Sequence, residues 1–141
     1  MTSDPHNLKR FLEAQQPIYA QVIAELRAGQ KQSHWMWFIF PQISGLGLSL
    51  TAKKYAIQSA DEARAYLAHP VLGPRLRDCA QLVNAIHGRS IDEIFGYPDN
   101  LKFHSSMTLF AHLSKEDSVF AAAIDNHFNG DKDRKTLHQL R

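Results

Sequence analysis

The sequence has little of what several specialised classes of protein require. Cys79 is its only cysteine, so no disulfide can form within the chain and a reducing compartment suits it. Its most apolar run, residues 35–40, is far shorter than the roughly 20 residues that span a bilayer, and no basic, then apolar, signal peptide opens the chain. We therefore expect a soluble cytoplasmic protein with no membrane partner.

The chain also has almost no excess of positive or negative charge. The 16 Lys and Arg against 14 Asp and Glu leave a formal net charge of +2, and no cluster of basic residues forms a phosphate-binding stripe. We expect no nucleic-acid partner. Hydrophobic residues make up 44% of the chain and charged residues 21%, as in ordinary globular domains. Without repeats or a flexible linker, residues 1–141 are predicted to form one domain with its core at about 8–128.

Metal and cofactor motifs are missing as well. The 8 histidines are scattered, no H-E-x-x-H occurs, and one cysteine cannot build a structural zinc site. Walker-type and dinucleotide-binding glycine motifs are absent. We predict no bound metal and no cofactor. Cys79 falls on the apolar face of a predicted helix, where a thiol acts as inert packing.

Helical periodicity is what the sequence does contain. Apolar residues recur every three or four positions, and no run of alternating β-branched residues is present. The one strand-like segment, 37–43, is interrupted by Pro41, which favours a short helix or turn leading into an extended stretch. We predict an all-α fold, a single multihelical domain of six to eight helices with a short tail helix.

Helix ends can be placed from capping patterns. "SADE" at 59–62 and "SIDE" at 90–93 match the capping box, in which a serine and a glutamate satisfy backbone N–H groups reciprocally. Other predicted starts and stops are Asp4, Gly29, Pro70, Gly88, Pro98 and Ser114.

The segment "SHWMWFIFPQ", residues 33–42, holds both tryptophans of the chain. Because aromatic side chains bury large apolar areas, we assign Trp37, Phe38 and Phe40 to the core. His34, Trp35 and Gln42 have polar groups that need partners. For these three residues a binding role competes with burial.

A glycine-containing loop and several cations follow this segment. "ISGLGLS" at 43–49 allows a tight turn or a close backbone approach, and Lys53 and Tyr55 come next. An aromatic platform, a pliable loop and cations are typical of a site for a flat anionic ligand such as a nucleotide. In this hypothesis Trp35 stacks on the ligand, while His34 and Gln42 contact its polar edges.

A second polar group lies in "DNLKFHSSMTLF", residues 99–110. On a helix, Lys102, Ser105 and Ser106 lie close together and could hold a phosphate or carboxylate. The alternatives are a solvated lysine and two small serines that allow close helix packing. Asp99 and Glu93 are the acid–base candidates, although each also suits the first turn of a helix.

Several strings together resemble a known bacterial family. They are "SHWMWFIFPQ", "GLGLS", "YAIQSADEARAYLAHPVLGPRL" and "IFGYPDNLKFHSSMTLF", and the resemblance runs from about residue 8 to 128. The family has unknown function and a small, mainly α-helical fold, and its members are often labelled "calpastatin". The resemblance therefore implies a helical bacterial protein without an assigned reaction. An inhibitor of the calpastatin kind is a disordered repeat chain, which the dense apolar pattern contradicts.

Two functions remain open from the sequence. One is a ligand-binding or enzymatic domain for a nucleotide-like or phosphorylated molecule, for example an N-glycoside hydrolase of the ADP-ribose type. A distant likeness to helical domains that process such compounds, in Lys102, Phe103 and Met107, favours it. The other is a non-catalytic protein-interaction module that uses the aromatic segment as an exposed patch. The sequence leaves open whether the protein is an enzyme and which protein partner it has.

Overall fold

Helices and turns make up the computed structural model, which describes residues 3–47, 49–115 and 118–140, so the predicted limits at 1 and 141 lie outside it. The all-α prediction is confirmed, and these ranges hold ten helices rather than six to eight. Two of these helices, at Met36–Ile39 and Leu50–Tyr55, have only four and six residues, which is too short to show periodicity. The helices are α1 (Lys9–Gln15), α2 (Tyr19–Arg27), α3 (Met36–Ile39), α4 (Leu50–Tyr55), α5 (Ala60–Ala68), α6 (Leu72–Asn84), α7 (Ile91–Phe95), α8 (Asp99–His112), α9 (Val119–Phe128) and α10 (Arg134–Gln139).

The aromatic segment forms α3 and then becomes extended, as predicted. Beyond Pro41 the chain makes an isolated parallel bridge between Ile43 and Ile57. Ser44 N–H donates to the Ile57 carbonyl, and Ile57 N–H donates to the Gln42 carbonyl, each at 2.8 Å. This bridge holds the glycine loop and α4 beside α3.

The two predicted capping boxes have different outcomes. At the start of α7, Ser90 and Glu93 form the complete reciprocal pair. At the start of α5, Ser59 accepts the N–H of Glu62, but the Glu62 carboxylate accepts Gln58 N–H and pairs with Arg10 at 2.7 Å. Both Glu62 carboxylate oxygens therefore have partners outside the "SADE" box, and its reciprocal bond is not formed.

Several other predicted helix ends are shifted. Asp4 accepts the N–H groups of Leu8 and Lys9, so α1 begins one turn later than its proline suggested. Ser118 caps α9, and the predicted cap at Ser114 was wrong. Pro98 lies at the N-cap of α8, and Gly29, at a φ of 77°, follows α2 as predicted.

The long helix α6 is shorter than the sequence suggested. It begins at Leu72, where the ring nitrogen Nδ1 of His69 accepts two backbone N–H groups, and it ends at Asn84, before Gly88. Its apolar face contains Cys79, which is 1% exposed. Cys79 packs in the core as predicted, and burial raises the pKa of its thiol to about 12.

Helix α8 lies at the centre of the core. Phe103, Met107 and Phe110 are fully buried, as the periodicity predicted, and Phe40 packs edge-on against Phe103 with ring centroids 5.0 Å apart. Helices α3, α5, α7, α9 and α10 all contact α8.

Among the described helices, none combines the length and apolarity that a bilayer crossing requires.

Candidate ligand-binding site

Trp35 belongs to the core, so its predicted role as a stacking platform was wrong. The side chain is 1% exposed, and its ring packs near Phe40 and Phe95. The indole Nε1 donates to Glu25 Oε1 at 3.0 Å, which satisfies the polar group that the sequence had left without a partner. Neither face of the ring is open to a ligand.

Glu25 organises the chain that leads into α3. Its carboxylate accepts hydrogen bonds from Gln32 N at 2.6 Å, Ser33 N at 2.9 Å and Ser33 Oγ at 2.7 Å, besides the Trp35 indole. Burial alone would raise the pKa of Glu25, but these hydrogen bonds outweigh burial and lower its pKa to about 2. The carboxylate is therefore ionised at neutral pH and fixes residues 32–35.

Trp37, which the sequence assigned to the core, lies at a cleft instead. The side chain is half-buried, and the Lys102 ammonium nitrogen lies 4.4 Å from its ring centroid. The cleft between α3, α4, α8 and α10 has a volume of about 480 Å³. Its polar and aromatic lining includes Trp37, Gln42, Lys102, Ser105, Asp133 and Lys135.

Lys102 and Asp99 belong to a chain of alternating charges behind the cleft. Asp99 Oδ2 lies 2.7 Å from Lys31 Nζ, and Asp99 Oδ1 lies 3.5 Å from Lys102 Nζ. Lys31 in turn lies over the Trp35 ring at 5.1 Å. Asp99 is engaged by two ammonium groups and does not line the cleft, so it positions Lys102 rather than facing a ligand.

Asp133 is the carboxylate of the cleft that the sequence analysis missed. Its Oδ2 accepts from Ser105 Oγ at 2.9 Å and from Thr136 Oγ1 and N at 2.5 and 3.2 Å. Oδ1 makes no hydrogen bond to a described residue. Among the described lining residues Asp133 is the only carboxylate, and Ser105, one of the predicted site residues, also lines the cleft.

Two comparisons with known proteins bear on this chain. A family model described as a protein of unknown function, DUF1810, matches residues 5–140. The chain belongs to the DUF1810 family. A crystal structure of the conserved hypothetical protein Rv1873 from Mycobacterium tuberculosis resembles this DUF1810 protein with a TM-score of 0.95 and 54% identity, covering 97% of this chain and 98% of that one. None of the curated proteins matches the chain.

Three predicted site residues of this DUF1810 protein lie away from the cleft. Ser106 is fully buried, and its Oγ finds no partner among the described residues, so it serves helix packing. Glu93 is exposed in its capping box, and its hydrogen bonds to Ser90 lower its pKa, which disfavours a general acid. His34 is exposed and is not among the residues that line the cleft.

The remaining predicted residues, Lys53 and Tyr55, line a second cavity of about 290 Å³ together with Gln42. The Tyr55 ring is already packed against Phe38 at 5.4 Å between ring centroids. Trp37 also lines this second cavity, so the two cavities adjoin.

Within the described ranges, no group of three or more His, Cys, Asp or Glu side chains could hold a metal ion. One further polar residue, His104 of α8, also lines the cleft. The His104 ring stacks on Phe128 at 3.9 Å, and its Nε2 donates to the Asp131 carbonyl at 2.6 Å. This contact holds the segment before α10 against α8.

Proposed function

We propose that the cleft at Trp37 binds a small molecule that combines a flat ring with an anionic group, as a nucleotide or a phosphorylated metabolite does. The observation that carries the proposal is the position of the Lys102 ammonium, 4.4 Å from the Trp37 ring in a 480 Å³ cleft. An indole and a cation together complement a flat anion, and the volume suits a small ligand.

The Lys102 ammonium group is able to receive the anion. At 3.5 Å from Asp99 its ion pair is long, whereas Lys31 holds the same carboxylate at 2.7 Å. Lys102 therefore keeps hydrogen-bond donors for a phosphate or carboxylate oxygen. Asp99 limits where the ammonium lies, and Lys135 adds a second positive charge to the lining.

Asp133 and Gln42 suit the neutral, hydroxylated part of such a ligand. The Oδ2 atom of Asp133 is used by Ser105 and Thr136, which leaves Oδ1 to accept from a sugar hydroxyl or an amino group. The Gln42 amide can both donate and accept. We infer that the ligand presents hydrogen-bond donors to Asp133 and an anion to Lys102.

Hydrolysis of an N-glycosidic bond is the reaction that we propose for this site if it is catalytic. Water would add to the anomeric carbon as the carbon–nitrogen bond breaks, and its proton would pass to a carboxylate and then to the leaving nitrogen. Of the carboxylates discussed, Asp133 lines the cleft, while Asp99 is engaged by lysines and Glu93 lies elsewhere. Asp133 is therefore our acid–base candidate.

The test is a thermal-shift screen against nucleotides, NAD, ADP-ribose and small phosphorylated metabolites. A ligand at a hundred times its Kd adds about 2.7 kcal/mol to the free energy of unfolding, which raises Tm by several degrees. We expect Lys102→Ala and Trp37→Phe to remove the shift, and the exposed Lys132→Ala to keep it. No shift with any compound would contradict the proposal. If a compound does shift Tm, incubating it with the protein tests whether it is turned over.

Exposed apolar residues favour a second candidate, a protein-interaction module. Leu50, Tyr97 and Leu101 are 86%, 82% and 51% exposed, and Leu101 lines the cleft. The form of this hypothesis that relied on an exposed Trp35 is excluded by the burial of that ring. Analytical ultracentrifugation of the purified protein is the first check, because self-association that Leu101→Glu abolishes would favour this candidate.

A further inference from the structure

We propose that the ligand carries a second anionic group, which the smaller cavity at Lys53 holds. This inference rests on the proposed function of the Trp37 cleft and extends it to a ligand with two charged ends. A flat ring at Trp37 would separate one anion at Lys102 from another at Lys53. The class of ligand is therefore a bisphosphorylated or otherwise doubly anionic aromatic compound, such as a nucleoside bisphosphate.

The two cavities adjoin, so a ligand that bridges them is the form of the proposal that the lining supports. Trp37, Gln42, Gly47 and Ala52 line the larger cavity and the smaller one alike. A Cβ atom at Gly47 would lie 2.6 Å from the Ala52 Cβ, closer than real contacts allow. Glycine at this position therefore lets the loop approach α4 closely.

The chemistry of the smaller cavity selects an anion rather than a second ring. The Tyr55 ring already packs against Phe11 and Phe38, and the other aromatic residue of the lining, Trp37, is shared with the larger cavity. The cavity instead offers hydroxyl, amide and ammonium groups. None of its described lining residues is acidic, and these groups come from Ser44, Lys53, Tyr55 and Gln58.

The positive charges of the two cavities come from separate elements. Lys53 is on α4, whereas Lys102 is on α8 and Lys135 on α10. The larger cavity also contains the Asp133 carboxylate, which suits a hydroxylated group, and the smaller cavity has no counterpart among its described residues. The pair of cavities thus has two places for an anion and one for hydroxyl groups.

The experiment compares adenosine 5′-monophosphate with adenosine 3′,5′-bisphosphate by isothermal titration calorimetry. We expect the bisphosphate to bind about tenfold more tightly, the size of one added charge-assisted hydrogen bond. Lys53→Ala should remove this gain and leave the affinity for the monophosphate unchanged. Lys54→Ala, on the same helix but outside the lining, is the matched control and should keep the gain.

The outcomes separate this inference from the proposed function. Equal affinities for the two nucleotides, or equal effects of the two lysine variants, would overturn the anion site at Lys53. In that case, monophosphate binding that depends on Lys102 would still support the proposed function of the Trp37 cleft. Failure of both nucleotides to bind would contradict both proposals. Circular dichroism of each variant establishes that it is folded, and Lys53 is exposed, so its removal should not alter the helices.

Discussion

The Ser105 hydroxyl lies 2.9 Å from Oδ2 of Asp133 and joins the middle of α8 to the first turn of α10 at the cleft. Asp133 is also the N-cap of α10, since its carboxylate accepts the Thr136 N–H, and its own N–H donates to Thr108 Oγ1 at 2.9 Å. One carboxylate of the cleft lining therefore caps a helix through Oδ2, while its Oδ1 makes no hydrogen bond to a described residue.

Asp133→Asn should separate these two roles. Asparagine is a good N-cap, so we expect Tm to fall little, with a loss below about 1 kcal/mol in the free energy of unfolding. Asp133→Ala should cost about 2 kcal/mol, because it removes the cap and leaves two hydroxyls without their partner. Both variants should bind a hydroxylated ligand at least about fivefold more weakly. Full ligand affinity in the asparagine variant would contradict the binding role.

The two tryptophans should respond to phenylalanine in opposite ways. Trp35→Phe removes a hydrogen bond from the buried Glu25 carboxylate and leaves a cavity, which should cost about 2–4 kcal/mol of stability. Trp37→Phe should cost less than about 1 kcal/mol, because the ring is half-buried and loses mainly its contact with Lys102. Thermal denaturation of both variants measures the difference, and equal losses would contradict the assignment of one ring to the core and one to the cleft.

Glu25 should make the stability of the protein depend on acid. Its pKa is lowered in the folded state from 4.5 to about 2, so the ionised group stabilises the fold fully above pH 4.5. As the pH falls from 4.5 towards 2, that contribution of about 3 kcal/mol should be lost.

Urea denaturation between pH 2 and pH 6 measures this loss. Glu25→Gln keeps the shape of the side chain but cannot ionise, so it should be less stable at neutral pH and show a smaller pH dependence in this window. The matched control is Glu13→Gln, since Glu13 is exposed. An unchanged pH dependence in the Glu25 variant would show that other groups cause the acid sensitivity.

Arg10 should not tolerate replacement by lysine. Its guanidinium donates to the carbonyls of Lys54 and Ala56 at 2.8 and 2.9 Å and to Glu62 at 2.7 Å, and so ties α1 to the chain around α4 and α5. Lysine cannot reproduce this planar set of donors, and we expect a loss of about 2–3 kcal/mol.

The control for Arg10→Lys is Arg64→Lys. Arg64 pairs with Asp61 at 3.0 Å, but both side chains are largely exposed, at 61% and 83%. Such surface pairs contribute little, so the lysine variant should change stability by less than about 0.5 kcal/mol. Chemical denaturation that finds similar losses in the two variants would contradict the structural role of Arg10.

The sequence predicted the helical class and much of the core because α6, α8 and α9 are long enough to show a repeating apolar face. It also predicted that Lys102 and Ser105 lie close together, since spacing on a long helix determines which side chains are neighbours. It misassigned Trp35 and Trp37 because α3 has only four residues and no period from which to choose. Indole burial there depends on Glu25, which lies in a different helix.

Asp133 escaped the sequence analysis for another reason. It stands in "DKDRK", a mixed-charge segment typical of a solvated surface. Its partner Ser105 is 28 positions away, so the pair exists only once α10 lies on α8. No local pattern marks such a long-range contact. The second cavity could not be predicted from the sequence either, although its lining residues Lys53 and Tyr55 were among the candidate site residues.

Trp35 and Trp37 flank a single residue, yet one is buried beside Glu25 and the other borders the cleft. Substitutions at positions 35 and 37 should therefore affect different parts of the protein, the core in the first case and the lining of the cleft in the second. Position 37 can change, for example to tyrosine or histidine, and alter the lining of the cleft with little effect on the core. Position 35 offers no such freedom, because its indole nitrogen bonds a buried carboxylate.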